Sequence, residues 1–162
     1  IPAITTPYFN FFELDVLCRM GKLTEVLDKI RSYWGGMLDL GAVTFWEEYD
    51  PSVPKEEQYD MYGDHFGKSL CHAWAASPIY FLAKYFAGLD LVNKDGVTYI
   101  LKPQMQYFTE LDCTLPVGSN GVVRLVWDGE ILEITPNADG GILELGEQKL
   151  SLVRGETRRV KI

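Results

Sequence analysis

Helical patterns and helix punctuation mark segments of the chain up to about Gly88, and after it apolar residues alternate with polar ones or form short runs, so the chain reads as a helical part followed by a sheet part. In the helical part, Pro7 to Met20 predicts one helix: Thr6 suits the cap, Pro7 the first helical position, and Gly21 a left-handed stop. Its apolar residues, from Tyr8, Phe9, Phe11 and Phe12 to Leu14, Val16, Leu17 and Cys18, cover more than one stripe, which predicts burial on two sides. A second helix is expected from about Lys22 to Trp34, with Leu23, Val26, Leu27, Ile30 and Trp34 on one face and Gly35-Gly36 ending it. Short connections make the two a helical hairpin. Ser69 to Phe86 predicts a third, apolar nearly all round, with alanines that let neighbours approach. Pro78 forces a kink or a fresh start, with Ser77 as cap, and Gly88 ends the segment.

After Gly88 the expected strands are Tyr99 to Leu101, Tyr107 to Leu115, Gly121 to Trp127, Ile131 to Thr135, Gly141 to Leu145, Lys149 to Val153 and Thr157 to Ile162. Pro116-Val117-Gly118, Asp128-Gly129, Asp139-Gly140 and Arg154-Gly155-Glu156 separate them, a spacing that describes an antiparallel sandwich. Asp128-Gly129 is the strongest hairpin signal, as a type I′ turn with positive φ at both central positions. The division expected is a helical domain over 1–88 and a β-sandwich domain over 89–162.

The 162 residues carry a formal charge of -8, and no basic stripe interrupts it; partnership with nucleic acid or an anionic membrane is not expected. Cys18, Cys71 and Cys113 have neither the number nor the spacing of a disulfide framework or a zinc site, and they read as buried thiols. No run approaches the roughly 20 apolar residues that span a bilayer. The start, Ile1-Pro2-Ala3-Ile4, has no initiator methionine and no charged leader flank, so the chain reads as an excised piece whose address stays open.

Between the second and third helices lies a stretch, Gly35 to Gly67, with no sustained period, and loops longer than about 15 residues are usually functional or disordered. Phe45, Trp46, Tyr49, Tyr59, Tyr62 and Phe66 give it too much aromatic area for a solvated linker. Its eight acids face only Lys55 and, just beyond, Lys68. Most of these acids solvate the loop, but Glu47 and Glu48 directly follow Thr44-Phe45-Trp46. An indole there can raise a carboxylate's pKa or stack on a sugar ring, and residue types alone do not choose between the two glutamates. By residue type His72 reads as a core histidine bonded to a nearby carbonyl ahead of any functional role. Asp64, His65 and His72 match no standard ligand spacing, and neither metal nor cofactor is expected.

Four blocks in order resemble one family, the bacterial α-L-rhamnosidases of the inverting kind. They are Pro7-Tyr8-Phe9, Arg31-Ser32-Tyr33-Trp34-Gly35-Gly36-Met37, Gly41-Ala42-Val43-Thr44-Phe45-Trp46-Glu47, and Ser69-Leu70-Cys71-His72-Ala73-Trp74-Ala75-Ala76-Ser77-Pro78. Val43 stands where that family more often has threonine. The resemblance implies an α+β chain by segment, the last helices of an (α/α)6 barrel followed by an antiparallel β-sandwich. It implies that Glu47 is the general base, that His72 contacts the bound sugar, and that Trp46 lines the same pocket by adjacency. The ligand implied is a rhamnose-containing carbohydrate, and the partner is the remainder of the parent barrel, which would carry the general acid. The alternatives are another (α/α)6-barrel glycosidase, or a free carbohydrate-binding or interaction module using the sandwich.

Overall fold

The computed structural model describes residues 5–93 and 98–162; the Ile1-Pro2-Ala3-Ile4 start lies outside them. The chain is α+β, with helices first and two four-stranded sheets after, and it divides into two compact units, 1–81 and 82–162.

In the first unit, α1 runs over Pro7–Arg19 and stops at Gly21 with φ +73°. Thr6 is its cap residue, although its side chain makes no capping bond. Among the described residues one stripe of α1 is covered: Pro7, Asn10, Leu14 and Cys18 are buried, while Tyr8, Phe9, Phe12 and Val16 are 43–60 % exposed. The expectation of burial on two sides therefore fails for these residues taken alone.

The second helix does not end at the glycine pair. It begins as α2, Leu23–Lys29, widens to a π-helical turn over Ile30–Trp34, and continues as α3, Gly35–Asp39. Gly35 keeps helical angles (φ −60°, ψ −39°), and the left-handed stop comes at Gly41 (φ +91°). Gly36 has another reason. A Cβ on Gly36 would stand 2.4 Å from Tyr49 Oη, so the missing side chain is what admits the Tyr49 ring against the helix. Trp34 and Tyr33 face inward from the π turn; Trp34 Nε1 donates to the Ala75 carbonyl at 2.8 Å.

The third predicted helix forms only in its second half, from the fresh start expected at Ser77 and Pro78, over Ser77–Phe81 and Leu82–Phe86. Residues 69–72 are extended or bent, Ala73–Ala75 form a 3-10 turn, and α4 starts afresh at Ser77–Phe81, in line with Pro78 occupying a first-turn position rather than a helix interior. Ser77 does not cap by its side chain: Oγ is buried with no hydrogen-bond partner among the described residues. Phe11 of α1 packs on Phe81 with ring centroids 5.2 Å apart.

The second unit opens with a π-helical turn, Leu82–Phe86, and then eight strands. These are β1 Leu89–Leu91, β2 Tyr99–Leu101, β3 Leu111–Val117, β4 Gly121–Trp127, β5 Ile131–Pro136, β6 Gly141–Leu145, β7 Gln148–Leu152 and β8 Arg158–Lys161. One sheet has the order β1-β2-β6-β7 and the other β3-β4-β5-β8. Alternation sends Val123, Leu125 and Trp127 of β4, with Leu132 and Ile134 of β5, into one shared core with Tyr99, Leu101, Leu143 and Leu152 of the first sheet. Each such side chain contributes roughly 1.5–3 kcal/mol by leaving water.

Three details depart from the sequence pattern. The β2–β6 pair is parallel, because the chain leaves this sheet to build β3 to β5 before returning; Gly141 sits opposite Tyr99, whose buried ring occupies the space of a Cβ. Pro116-Val117 belong to β3 rather than to the turn, which an edge strand permits because it need not donate every amide. The hairpin at Asp128-Gly129 exists, but only Gly129 has positive φ. Instead of a type I′ corner, Asp128 Oδ1 accepts from the amides of Glu130 (2.9 Å) and Ile131 (2.7 Å).

Candidate active site

The stretch between α3 and α4 is ordered by pairing two of its own segments. Glu47 N donates to Ser69 O (2.9 Å), His72 N donates to Phe45 O (2.8 Å), and the Thr44 hydroxyl donates to Leu70 O. Residues 44–47 thus run antiparallel to 69–72, which brings Glu47 and His72, 25 positions apart in sequence, to one place. Trp46 is 3 % exposed and packs edge-on to Tyr59 with centroids 5.6 Å apart. The indole therefore anchors the segment from inside, and adjacent side chains diverge, leaving Glu47 to the other side. The exposed indole beside the site is Trp74, whose ring lies 4.4 Å from that of His72.

Glu47 is 9 % exposed, and each of its carboxylate oxygens accepts one hydrogen bond. Tyr62 Oη donates to Oε1 at 2.8 Å, Ser69 N donates to Oε2 at 3.1 Å, and His72 Nδ1 lies 3.8 Å from Oε2. The Tyr62 hydrogen bond holds its pKa below the ordinary carboxylate value; the Ser69 amide and the charges of His72 and Lys68 act in the same sense and burial opposes them. Glu47 is thus ionised at neutral pH, which is the state a proton acceptor needs. The apolar-wall effect expected from the neighbouring indole does not dominate, since Trp46 turns inward while donors meet the carboxylate.

Glu48 has a different environment: the Thr5 hydroxyl donates to its Oε1 at 2.7 Å. Lys68, 8 % exposed, supplies a buried cation beside this acid-rich stretch; burial pushes its pKa down, against the pull of Glu48, Asp60, Asp50 and Glu47. Asp50 ties off the following turn through the amide and hydroxyl of Ser52, and Gln58 bridges the carbonyls of Asp50 and Val53. His65 pairs with Asp60 at 2.5 Å on the surface, away from His72 in its bonding. Among the described residues no group of three or more His, Cys, Asp or Glu side chains could hold a metal ion. No helix among them is long and apolar enough to cross a membrane.

Tyr62 was not singled out by residue type, yet it contributes the largest influence on Glu47. It sits in a corner where Met61 N donates to Asp64 O and Asp64 N to Met61 O, both at 3.0 Å. The two central residues have positive φ, Tyr62 at 54° and Gly63 at 81°. That is the type I′ pattern expected at Asp128-Gly129, found here with tyrosine in the first position. A bulky residue in this region costs about 1–3 kcal/mol. The only signal in the sequence was the Tyr-Gly dipeptide inside an aromatic loop.

No family model matches the chain, and no curated protein matches it. Among solved structures it is similar to a crystal structure of a GH78 family rhamnosidase of Bacillus sp. GL1, with a TM-score of 0.66 and 24 % identity over 89 % of this chain. The likeness shows the fold, and the chain spans 15 % of the length of that protein.

Proposed function

We propose that this chain is part of an inverting α-L-rhamnosidase, in which Glu47 is the general base and His72 contacts the bound sugar. The observation that carries the reading is the Glu47 carboxylate itself: nearly buried, kept ionised by Tyr62 and Ser69, and 3.8 Å from an imidazole. In an inverting glycosidase such a carboxylate takes a proton from water as that water attacks the anomeric carbon. A protonated carboxyl roughly 6.5–9.5 Å away donates to the leaving oxygen. The likeness in fold to a rhamnosidase supports the assignment of sugar. The acid would come from the remainder of the parent catalytic domain.

The uncovered face of α1 supports the same reading. Tyr8 packs against Trp74 (5.4 Å) and, with Phe9, Phe12 and Val16, forms an apolar surface that a self-contained monomer rarely leaves open. Further helices of an (α/α)6 barrel would cover it. Trp46 then serves by holding Glu47 in place from beneath rather than by touching sugar.

The test is hydrolysis of an aryl α-L-rhamnoside by the full-length protein, followed by proton NMR within the first turnovers. The β-anomer of rhamnose is expected as first product. Release of the α-anomer first, or turnover of other aryl glycosides with none of the rhamnoside, overturns the proposal.

A further inference from the structure

We propose that Tyr62 is a positioning residue for Glu47, its hydroxyl fixing carboxylate Oε1 while the Ser69 amide fixes Oε2, so that the base stands in one orientation toward the reacting water. The inference rests on the reading of Glu47 as a base and extends it to a residue outside the two paired segments.

Three independent features converge on Tyr62. The first is backbone: the Met61 to Asp64 corner has positive φ at both central residues, a place for Asn, Asp or Gly, and tyrosine is a poor choice for the turn alone. The second is exposure. The Tyr62 side chain is 81 % exposed, so burial of its ring does not offset the cost of that backbone. The third is the phenol, which reaches 15 positions back in sequence to donate to Glu47 Oε1 at 2.8 Å.

The surrounding lobe is built to hold that reach. Gly67 lies so close to the Met61 carbonyl that a Cβ would stand 2.2 Å from the oxygen, closing the neck of the lobe. Asp64 then caps the return, accepting from Phe66 N through Oδ1 (3.0 Å) and from Gly67 N through its carbonyl (3.1 Å). Glu47's backbone is fixed by Ser69, so the hydroxyl of Tyr62 acts on what the ladder leaves free, the rotation of the carboxylate. Each carboxylate oxygen has two lone pairs, and one donor on each still leaves an acceptor for water. Fixing a reacting group in this way is what converts a nearby base into an effective one.

Two substitutions separate positioning from a merely structural role. Tyr62→Phe removes the hydroxyl and keeps the turn as it is. Tyr62→Asn removes the hydroxyl and relieves the turn, so it is expected to unfold at the same or a higher temperature than the parent. In both variants, carboxylate carbon NMR of the full chain is expected to show the Glu47 titration moved to higher pH. In the full-length protein, the acidic limb of kcat/KM for the aryl rhamnoside moves the same way, with the larger loss of turnover at the acid end. A Glu47 titration and an acidic limb unchanged in both variants overturn the inference. If the titration moves up while Glu47→Gln retains wild-type turnover, positioning holds and the assignment of Glu47 as base falls. If Glu47→Gln abolishes turnover while the titration stays put, the base assignment holds and positioning falls.

Discussion

Replacing Gly36 by alanine puts a methyl group where the Tyr49 ring lies, with Oη, Cζ and Cε1 at 2.4, 2.5 and 2.6 Å from the new carbon. In an open helix the change would help, since alanine exceeds glycine by about 1 kcal/mol in helix propensity. Here the ring must swing away. Tyr49 is held by its own backbone, whose amide meets both Thr5 O (3.1 Å) and Tyr33 Oη (3.1 Å), and its ring stands edge-on to Tyr33 at 5.6 Å. Overpacking of this kind costs about 1–3 kcal/mol, and the disturbed aromatic pair about 0.5–1.5 kcal/mol more. The net expectation is a loss of roughly 0.5–3.5 kcal/mol once the propensity gain is subtracted. Gly35 is the internal control: it is helical and a Cβ there would meet nothing within 4 Å, so Gly35→Ala keeps the full gain. Thermal unfolding followed by tryptophan fluorescence reads chiefly the first unit, which holds Trp34, Trp46 and Trp74 against Trp127 alone in the second. For a unit of this size each kcal/mol moves the midpoint by about 4–8 °C, so the two alanine variants should move in opposite directions. A Gly36→Ala variant as stable as Gly35→Ala would refute the account of why Gly36 lies inside a helix.

In the second unit, Gly88→Ala should cost more than about 2 kcal/mol, because the position combines φ +75° with a Cβ only 2.1 Å from the Lys102 carbonyl oxygen, which is backbone and cannot rotate away. Urea unfolding checks it, and an unchanged midpoint would contradict the geometry. The depressed Glu47 pKa also has a sign in stability: an acid held below its ordinary value of 4.5 stabilises the fold above that value, and the contribution disappears as pH falls through the folded pKa. The wild type should therefore be more stable than Glu47→Gln at neutral pH, with the gap narrowing below pH 4.5. A gap that stays constant with pH would show that the carboxylate gains nothing from its donors.

Legibility followed the range of the forces involved. Period-two alternation is local, and β2, β4 and β6 have the bounds that the pattern predicts. β1 was invisible because Leu89–Leu91 is three residues long with Asp90 at its centre. Gly35-Gly36 misled because glycine ends helices by its backbone freedom, whereas at Gly36 it is absent volume that counts, and the ring that claims this volume comes from Tyr49. The same limit holds at the site. Residue types alone gave Glu47 and Glu48 equal standing, and only the family resemblance chose Glu47; their different partners, Tyr62 and Ser69 for one and Thr5 for the other, are set by chain segments far from both. The type I′ corner that supplies Tyr62 escaped notice because the turn rule looks for Asn or Asp before glycine, and a tyrosine there is chosen for what its hydroxyl reaches.

The role of Glu47 as a base is tested most directly by steady-state kinetics of Glu47→Gln in the full-length protein on an aryl α-L-rhamnoside. Glutamine keeps the size of the side chain and an acceptor for Tyr62 but cannot take a proton. A fall in kcat of about 10²–10⁴-fold with KM little changed is expected, the range that removal of a general base produces. Turnover within a few-fold of wild type would contradict the account and leave the Glu47 carboxylate as a structural tie between Tyr62 and Ser69.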